Sequence, residues 1–544
     1  MQWWTRYWSA PGGRIAAALV RIALAISVVL LLPRIREGAP VAHPAQMAAS
    51  IYHPVGILQV FRSPPPASLI ELAGIVAYAG AIAMLIGLCT RAATVATALA
   101  MLVLASQAMS YQPSWSHDFN VVLLALIAFV GARGGDALAV DAVIRWLRRP
   151  APVAATYQWS VRLVQLAVGL MFLSACVLKL RSGGLHWALS DNLRHQLLAR
   201  YDLIGAVHRP PIVDWLLARS WRYEGSALLN LISQAMPVVA IVLVDRPWIR
   251  ALAAVFFVIE VAALYAVMEL GNPSWFPLAA VFIDWDRLWA WIRRTPPAAL
   301  APGTSPVRLP RAAAIFVAGF VVVDLVISFA PRVDEVLRTF PFSRFPMFAI
   351  MRAKQPYAEH QPYEMIAGRI ELVTDRPIDA WIQAEIDRDY GFRTLHRETD
   401  LGVLRARTAV TLDELRRRFP TLALRGVRVY ATMYQVPAYP AAARLEPHDL
   451  GILGELVDGS WITHAVALPA DGRIALAADP ALAGAPLMLY RDGLPVPGPP
   501  PVPDAAGTVQ LPAGRDMLYL IARVAGPGGV VRPYVVVRRV RGYW

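Results

Sequence analysis

The sequence predicts an α-helical polytopic membrane bundle of about nine transmembrane helices, followed by a β-rich, sandwich-like extracytoplasmic domain. Three observations carry this. Hydrophobic residues make up 57% of the 544 and charged residues 17%, against roughly 25% charged in an average soluble domain. The apolar residues gather in runs of about twenty, the length a helix needs to cross some 30 Å of hydrocarbon. Beyond about residue 362 the runs shorten, become β-branched or alternating, and are separated by turn formers. This composition excludes a soluble cytosolic enzyme and a disordered regulator.

The candidate spans, in order, cover 15–32, 67–88, 92–110, 119–132, 159–180, 227–244, 251–270, 275–291 and 312–330. The first lacks a small-x-small cleavage pattern and reads as an anchor helix. With a cytoplasmic N-terminus, Arg91, Arg133, Arg145, Arg148, Arg149, Arg246, Arg250, Arg287, Arg293, Arg294, Arg308 and Arg311 all fall inside, as the positive-inside rule requires. The outer loops near Tyr111–Asp118 and Gly271–Ser274 carry no basic residue. Two long outer loops break the rule, one with Arg34, Arg36 and Arg62, the other running from Arg181 to Arg222. Amphipathic stretches in the second suit a helix lying on the membrane surface. An odd span count puts the C-terminal region outside, in the periplasm of a bacterial inner-membrane protein.

The chain thus divides into a helical bundle at 1–331, an interfacial Pro/aromatic connector at 332–361 and a β-rich domain at 362–544. In the last, 368–374, 380–386, 427–432, 517–524 and 534–540 read as strands and 411–419 as an amphipathic helix. The net charge of +14 rests on 50 arginines and two lysines, Lys179 and Lys354. Most of the excess accompanies the apolar runs, so it reports orientation and not nucleic-acid binding. Cys89 and Cys176 fit no metal-binding spacing, and a disulfide between them is left open.

Ionisable groups at membrane depth are functional candidates by default. Arg21, Glu71, Arg162, Glu260 and Asp324 all fall inside the spans. Lys179 stands at the outer end of its span in a chain that otherwise uses arginine. Snorkelling would be served equally by arginine. A step that needs a neutral amine would not, because a guanidinium keeps its proton. Lys179 thus reads equally as functional or structural; His117, at the same outer level, reads as structural on its own, and the two together favour a shared site. Glu269, beside the turn Gly271–Pro277, is either a satisfied polar group or a wall of the same pocket. His186 and His195 lack the spacing of a metal site.

These segments in order, Ser114-Trp-Ser-His-Asp118, Ala139-Val-Asp141, Arg162-Leu-Val-Gln165, Phe172-Leu-Ser-Ala-Cys-Val-Leu-Lys-Leu180, the turn Gly271–Pro277 and Phe282-Ile-Asp-Trp285, resemble the membrane domain of the vitamin K-dependent gamma-carboxylase family. The resemblance implies that Lys179 deprotonates a reduced quinone of the vitamin K type, that O2 then drives epoxidation, and that His117 stabilises the reacting species. It implies a lipid-borne quinone held near Trp115, Trp187 and Glu269, with O2 as oxidant and no metal. CO2 and a peptide glutamate on the outer side would be co-substrates if carboxylation is retained. The family's paired lysines are Leu178-Lys179 here, and the residue before the histidine, commonly Asn, is Ser116. The outer domain is also shorter than the family's. The resemblance therefore carries the quinone half of the chemistry, with glutamate carboxylation left open. The alternative is a non-catalytic membrane scaffold that binds lipid or quinone and recruits a partner through its β-domain.

Overall fold

The computed structural model describes residues 7–9, 13–37, 51–111, 119–148, 157–201, 209–270, 273–294, 309–330, 333, 337–345, 347–349, 351–352, 363–379, 382–383, 386, 395, 398–436, 438–439, 447–469, 471–491, 494–514, 516–526 and 529–539. The chain forms two compact units. One contains Met1–Ala45, Tyr52–Leu189 and Glu224–Met351; the other contains Gln46–Ile51, Ser190–Tyr223 and Arg352–Trp544.

The first unit is helical. Its long helices are α1 (Arg14–Glu37), α2 (Ala67–Ile86) and α3 (Thr90–Ser110), with the ten-residue α4 (Asn120–Phe129) and the short α5 (Val140–Arg148) after them. The longest, α6 (Gln158–Gly183), follows. Two helices of the second unit, α7 (Asn192–Tyr201) and α8 (Pro211–Leu217), intervene before α9 (Ser220–Val242) and α10 (Pro247–Met268). A 3-10 helix at Pro273–Phe282, the amphipathic α11 (Trp285–Ile292) and α12 (Arg311–Phe329) complete the bundle.

Seven of these, α1, α2, α3, α6, α9, α10 and α12, are long and apolar enough to cross a membrane. Leu72, Ile75 and Ile82 on α2, Val255 on α10 and Ile315 and Val322 on α12 are exposed, an apolar surface that water would not tolerate but lipid would. Small residues set the close contact of α2 with α3. A Cβ on Gly80 would stand 2.2 Å from Thr97 Oγ1, so only glycine allows this approach.

The fourth and eighth sequence spans differ from expectation. The helix at 119–132 shortens to α4, and 275–291 becomes a 3-10 helix followed by α11, where Trp291 and Ile292 are exposed. Both segments nevertheless carry the chain from one end of a long helix to the other. Ser110, at the end of α3, accepts from His53 N at 2.8 Å, and Gly56 abuts Phe340. Asn120 joins that end, donating from Nδ2 to Pro341 O at 2.9 Å and Ser343 Oγ at 2.6 Å. By residue 141 the chain has reached the start of α3, where Asp141 accepts from Cys89 N and Thr90 N, each at 2.8 Å. Likewise the 3-10 helix begins just after α10 ends and returns to its start. There Arg250 donates to Ile283 O at 3.0 Å and pairs with Asp284 at 3.4 Å. A 3-10 helix rises about 2.0 Å per residue, so ten residues cover ground that an α-helix needs thirteen to cover.

The connector at 332–361 follows α12. Its described residues pack into the helical unit through Phe345 on Phe172 and Trp275 and through Phe342 on Phe320.

The second unit is built on an eight-stranded mixed sheet. Its strands are β1 (Tyr363–Val373), β2 (Gly426–Val436), β3 (His448–Val457), β4 (Ser460–Ile462), β6 (Leu487–Arg491), β7 (Leu494–Pro495), β9 (Leu518–Ala525) and β10 (Val531–Arg539). The order is β1-β2-β3-β10-β9-β6-β7, with β4 on β3. Only β3 and β10 run parallel. A separate two-stranded sheet pairs β5 (Arg473–Ala475) with β8 (Thr508–Gln510). One face is covered by α13 (Leu401–Arg418), whose Leu404, Leu412 and Leu415 pack on Val427, Val429, Ile521 and Val535. The other packs Ile452, Leu520 and Val536 on Ile474 and Val509 of the small sheet. The result is a large sheet with a helix on one face and a small two-stranded sheet on the other, an unequal form of the expected sandwich.

Three local expectations change. Residues 382, 383 and 386 are helical, not part of a strand. The helix expected from 411 starts ten residues earlier, where Asp400 caps it by accepting from Gly402 N and Val403 N. The segment around His195, expected on the membrane surface, is buried in this unit: Leu198 and Ala199 pack on Met365, Ala367, Tyr434 and Val436.

Candidate functional site

Lys179 lies four residues from the end of α6 and is 1% exposed. Its neighbour in sequence, Cys176, donates from Sγ to Leu231 O at 3.6 Å, which registers α6 against α9. On α9, Asn230 and Gln234 stand one turn apart on one face. Lys179 Nζ donates to Asn230 Oδ1 at 2.5 Å and to Gln234 Oε1 at 3.1 Å. Behind the amides is Glu260 of α10, 2% exposed. Asn230 Nδ2 donates to both its carboxylate oxygens at 2.7 Å, and Gln234 Nε2 to Oε1 at 2.9 Å. With its oxygens accepting from both amide nitrogens, Glu260 leaves both amide oxygens turned toward the lysine. The fourth side is the indole of Trp187, its ring centre 4.4 Å from Nζ, held by its own Nε1 donating to Phe348 O at 3.0 Å.

The arrangement is a hydrogen-bonded polar cluster in an apolar bundle. Once Nζ has gained a proton, each ammonium hydrogen has a destination: two amide oxygens and an aromatic face. Glu260 lies at one remove, behind the amides. Such a cluster provides a fixed set of dipoles aimed at a positive charge on Nζ, which is what electrostatic preorganisation requires of a base that gains a proton. Two turns inward along α6, about 10 Å at 1.5 Å per residue, Phe172 meets Phe257 with ring centres 5.1 Å apart and Trp275 at 5.9 Å.

Of the residues singled out in the sequence, the structure brings Lys179 and Trp187 together. Glu269 is exposed at the end of α10 with φ 48°. His117 and Trp115 lie outside the described residues. Among the other intramembrane charges, Arg21 donates to Gly134 O at 3.0 Å and Leu138 O at 2.6 Å, a structural tie near the start of α3. Arg162 donates to Tyr7 O and stacks on the Tyr7 ring at 4.4 Å. Asp324 accepts from Ser328 Oγ at 3.3 Å, and Glu71 is exposed. Cys89 and Cys176 are both free thiols.

The residues that sequence reasoning missed are Asn230 and Gln234. Their signal was present: two amides at i and i+4 within an otherwise apolar span, where polar groups are rare and costly. Glu260 was noted, but its partner was not legible. Among the described residues, no group of three His, Cys, Asp or Glu side chains could hold a metal ion. No protein-family model, no curated protein and no solved structure matches this chain.

Proposed function

We propose that this protein is a membrane-integral, quinone-dependent oxidoreductase of the carboxylase-like type, in which Lys179 takes a proton from a reduced quinone at an outward-facing site. The observation that supports this reading most is the buried Lys179 amine, whose partners are two amide oxygens oriented by Glu260. A base creates a positive charge on itself when it works, and this cluster is organised around that charge before any substrate arrives.

The side chains present suit an aromatic, weakly acidic ligand. Trp187 offers an indole face beside the amine, and the Phe172, Phe257 and Trp275 rings continue the aromatic wall inward. A reduced quinone would supply an acidic hydroxyl and, with O2, the oxidising power that no side chain provides. Asn230 and Gln234 hold the ammonium; Glu260 keeps the amides turned; Trp187 shields the amine from water. His117 is proposed as an electrostatic helper on the strength of the family resemblance. CO2 addition to a peptide glutamate is the coupled reaction that the resemblance implies.

The same proposal sets the topology. The N-terminus is cytoplasmic and the chain crosses an inner membrane nine times, α4 and the 3-10 helix included. Arginine distribution and the end-to-end course of those two short segments support it. The sheet domain is then periplasmic, where it could meet a peptide or protein substrate.

The test is direct. Purified protein in nanodiscs receives reduced naphthoquinone and O2, and quinone epoxide is measured; labelled CO2 with a glutamate-containing peptide reads the coupled step. Epoxide supports the proposal. A folded protein that forms none, while a partner co-purifies through the sheet domain, supports the scaffold reading instead, which draws on the closure of the Lys179 network within the protein itself.

A further inference from the structure

Arg538, on β10 of the sheet domain, is 7% exposed. It stands directly opposite Tyr519 in the β9–β10 ladder, and residues opposite one another share a face. Tyr519 belongs to the core beneath α13, so the guanidinium enters the same helix-covered layer. Nε, Nη1 and Nη2 are all buried, and none has a hydrogen-bond partner. Burial opposes its charge, and neither Tyr519 nor Glu398, the groups that act on it electrostatically, gives it a hydrogen bond. That carboxylate is already engaged: Oε2 pairs with Arg407 at 3.6 Å and Oε1 accepts from Asp400 N at 3.3 Å. Glu398 thus pairs with the half-buried Arg407, and Arg538 has no share of its hydrogen bonds.

A buried lysine or carboxyl can escape such a position by becoming neutral. Arginine cannot, because it holds its proton at any ordinary pH. An uncompensated buried charge is among the most costly features a fold can carry, and its five donors form a planar fork that matches the oxygens of a carboxylate or phosphate. Chloride offers no such geometry.

We propose that Arg538 forms a binding site for a small oxoanion, a carboxylate or phosphate group, beneath α13 of the sheet domain. The site is independent of the Lys179 chemistry. The anion completes the charge balance and the hydrogen bonding of the Arg538 fork.

Equilibrium dialysis of the full-length protein in maltoside detergent tests this with radiolabelled inorganic phosphate, at constant ionic strength maintained with chloride. The proposal expects saturable binding of one phosphate per chain, with Arg538→Gln weakening it at least about tenfold, the loss of one charge-assisted hydrogen-bonding group. Competition by glutarate stronger than by phosphate itself identifies a carboxylate as the natural class; the reverse identifies a phosphate. Unsaturable binding, or equal binding by Arg538→Gln, overturns the proposal. Should that variant fail to fold, hydrogen exchange of the unmodified protein decides: phosphate must slow exchange in β9, β10 and α13. Unchanged exchange there overturns the proposal equally.

Discussion

Lys179 and Glu260 are coupled through amides instead of touching: Asn230 accepts from Lys179 Nζ at 2.5 Å and donates to both Glu260 oxygens at 2.7 Å. The amide bridges the two ionisable groups within one apolar bundle without letting them form a contact pair. It leaves the amine facing Trp187 while the carboxylate stays behind.

Breaking this coupling from one side leaves a buried charge without compensation. Glu260→Met is expected to destabilise the bundle by about 3–5 kcal/mol and to abolish turnover, since the amides are then free to turn. Lys179→Met/Glu260→Met should recover part of the stability, with a coupling energy of about 0.5–3 kcal/mol. Unfolding in mixed micelles measures both. Additive losses would mean that the two residues do not act as one cluster.

Asp141 caps α3 from fifty-one residues downstream, accepting from Cys89 N and Thr90 N. Burial opposes its charge, but the Thr90 and Cys89 donors and Arg145 hold its carboxyl below the usual range. Its contribution is therefore complete above the unfolded carboxylate range and is lost as pH falls through the depressed value. Asp141→Ala should cost about 1 kcal/mol at neutral pH, the usual worth of a helix cap, with the difference from the unaltered protein shrinking in acid. A difference that is constant with pH would show that the carboxylate does not titrate in this role.

In the sheet domain, Tyr534 donates to Glu455, a carboxylate also paired with Arg428 at 2.8 Å. Burial, with that hydrogen bond, pushes the phenol up to about 12. The unfolded chain releases this proton near pH 10, earlier than the folded domain does. Stability should thus fall from about pH 10 to about pH 12 and then level. Tyr534→Phe should remove part of that fall. Circular dichroism against pH reads the outcome, and identical alkaline limbs would contradict it.

Cys89 is exposed and Cys176 buried, so the unaltered chain is its own topology probe. With the proposed orientation, a membrane-impermeant maleimide should label Cys89 in inside-out vesicles and leave it unlabelled in right-side-out ones. The opposite pattern would invert the topology and place Lys179 on the cytoplasmic side.

Most of the bundle was legible because a twenty-residue apolar run has few other fates. The failures have physical reasons. Residues 119–132 and 275–291 were measured against α-helical length, yet α4 and a 3-10 helix cover the distance with fewer helical residues. β3 went unrecognised because His448–Val457 is buried on both faces along most of its length, and a centre strand of that kind lacks alternation. Lys179 was singled out by chemistry alone, in a chain of arginines. Its partners were not, because Asn230, Gln234 and Glu260 come from two other helices and meet only after packing. Arg538 looked like one more basic residue near the C-terminus; only its burial separates it from the rest.

The central claim is that the Lys179 amine accepts a proton from a reduced quinone. Epoxide formation by purified Lys179→Arg protein in nanodiscs, compared with the unaltered chain at matched folding, tests it most directly. Arginine keeps the positive charge but cannot act as a neutral base, so the account requires turnover in the unaltered protein and its loss in the variant. Equal epoxide formation by both would remove Lys179 from the chemistry.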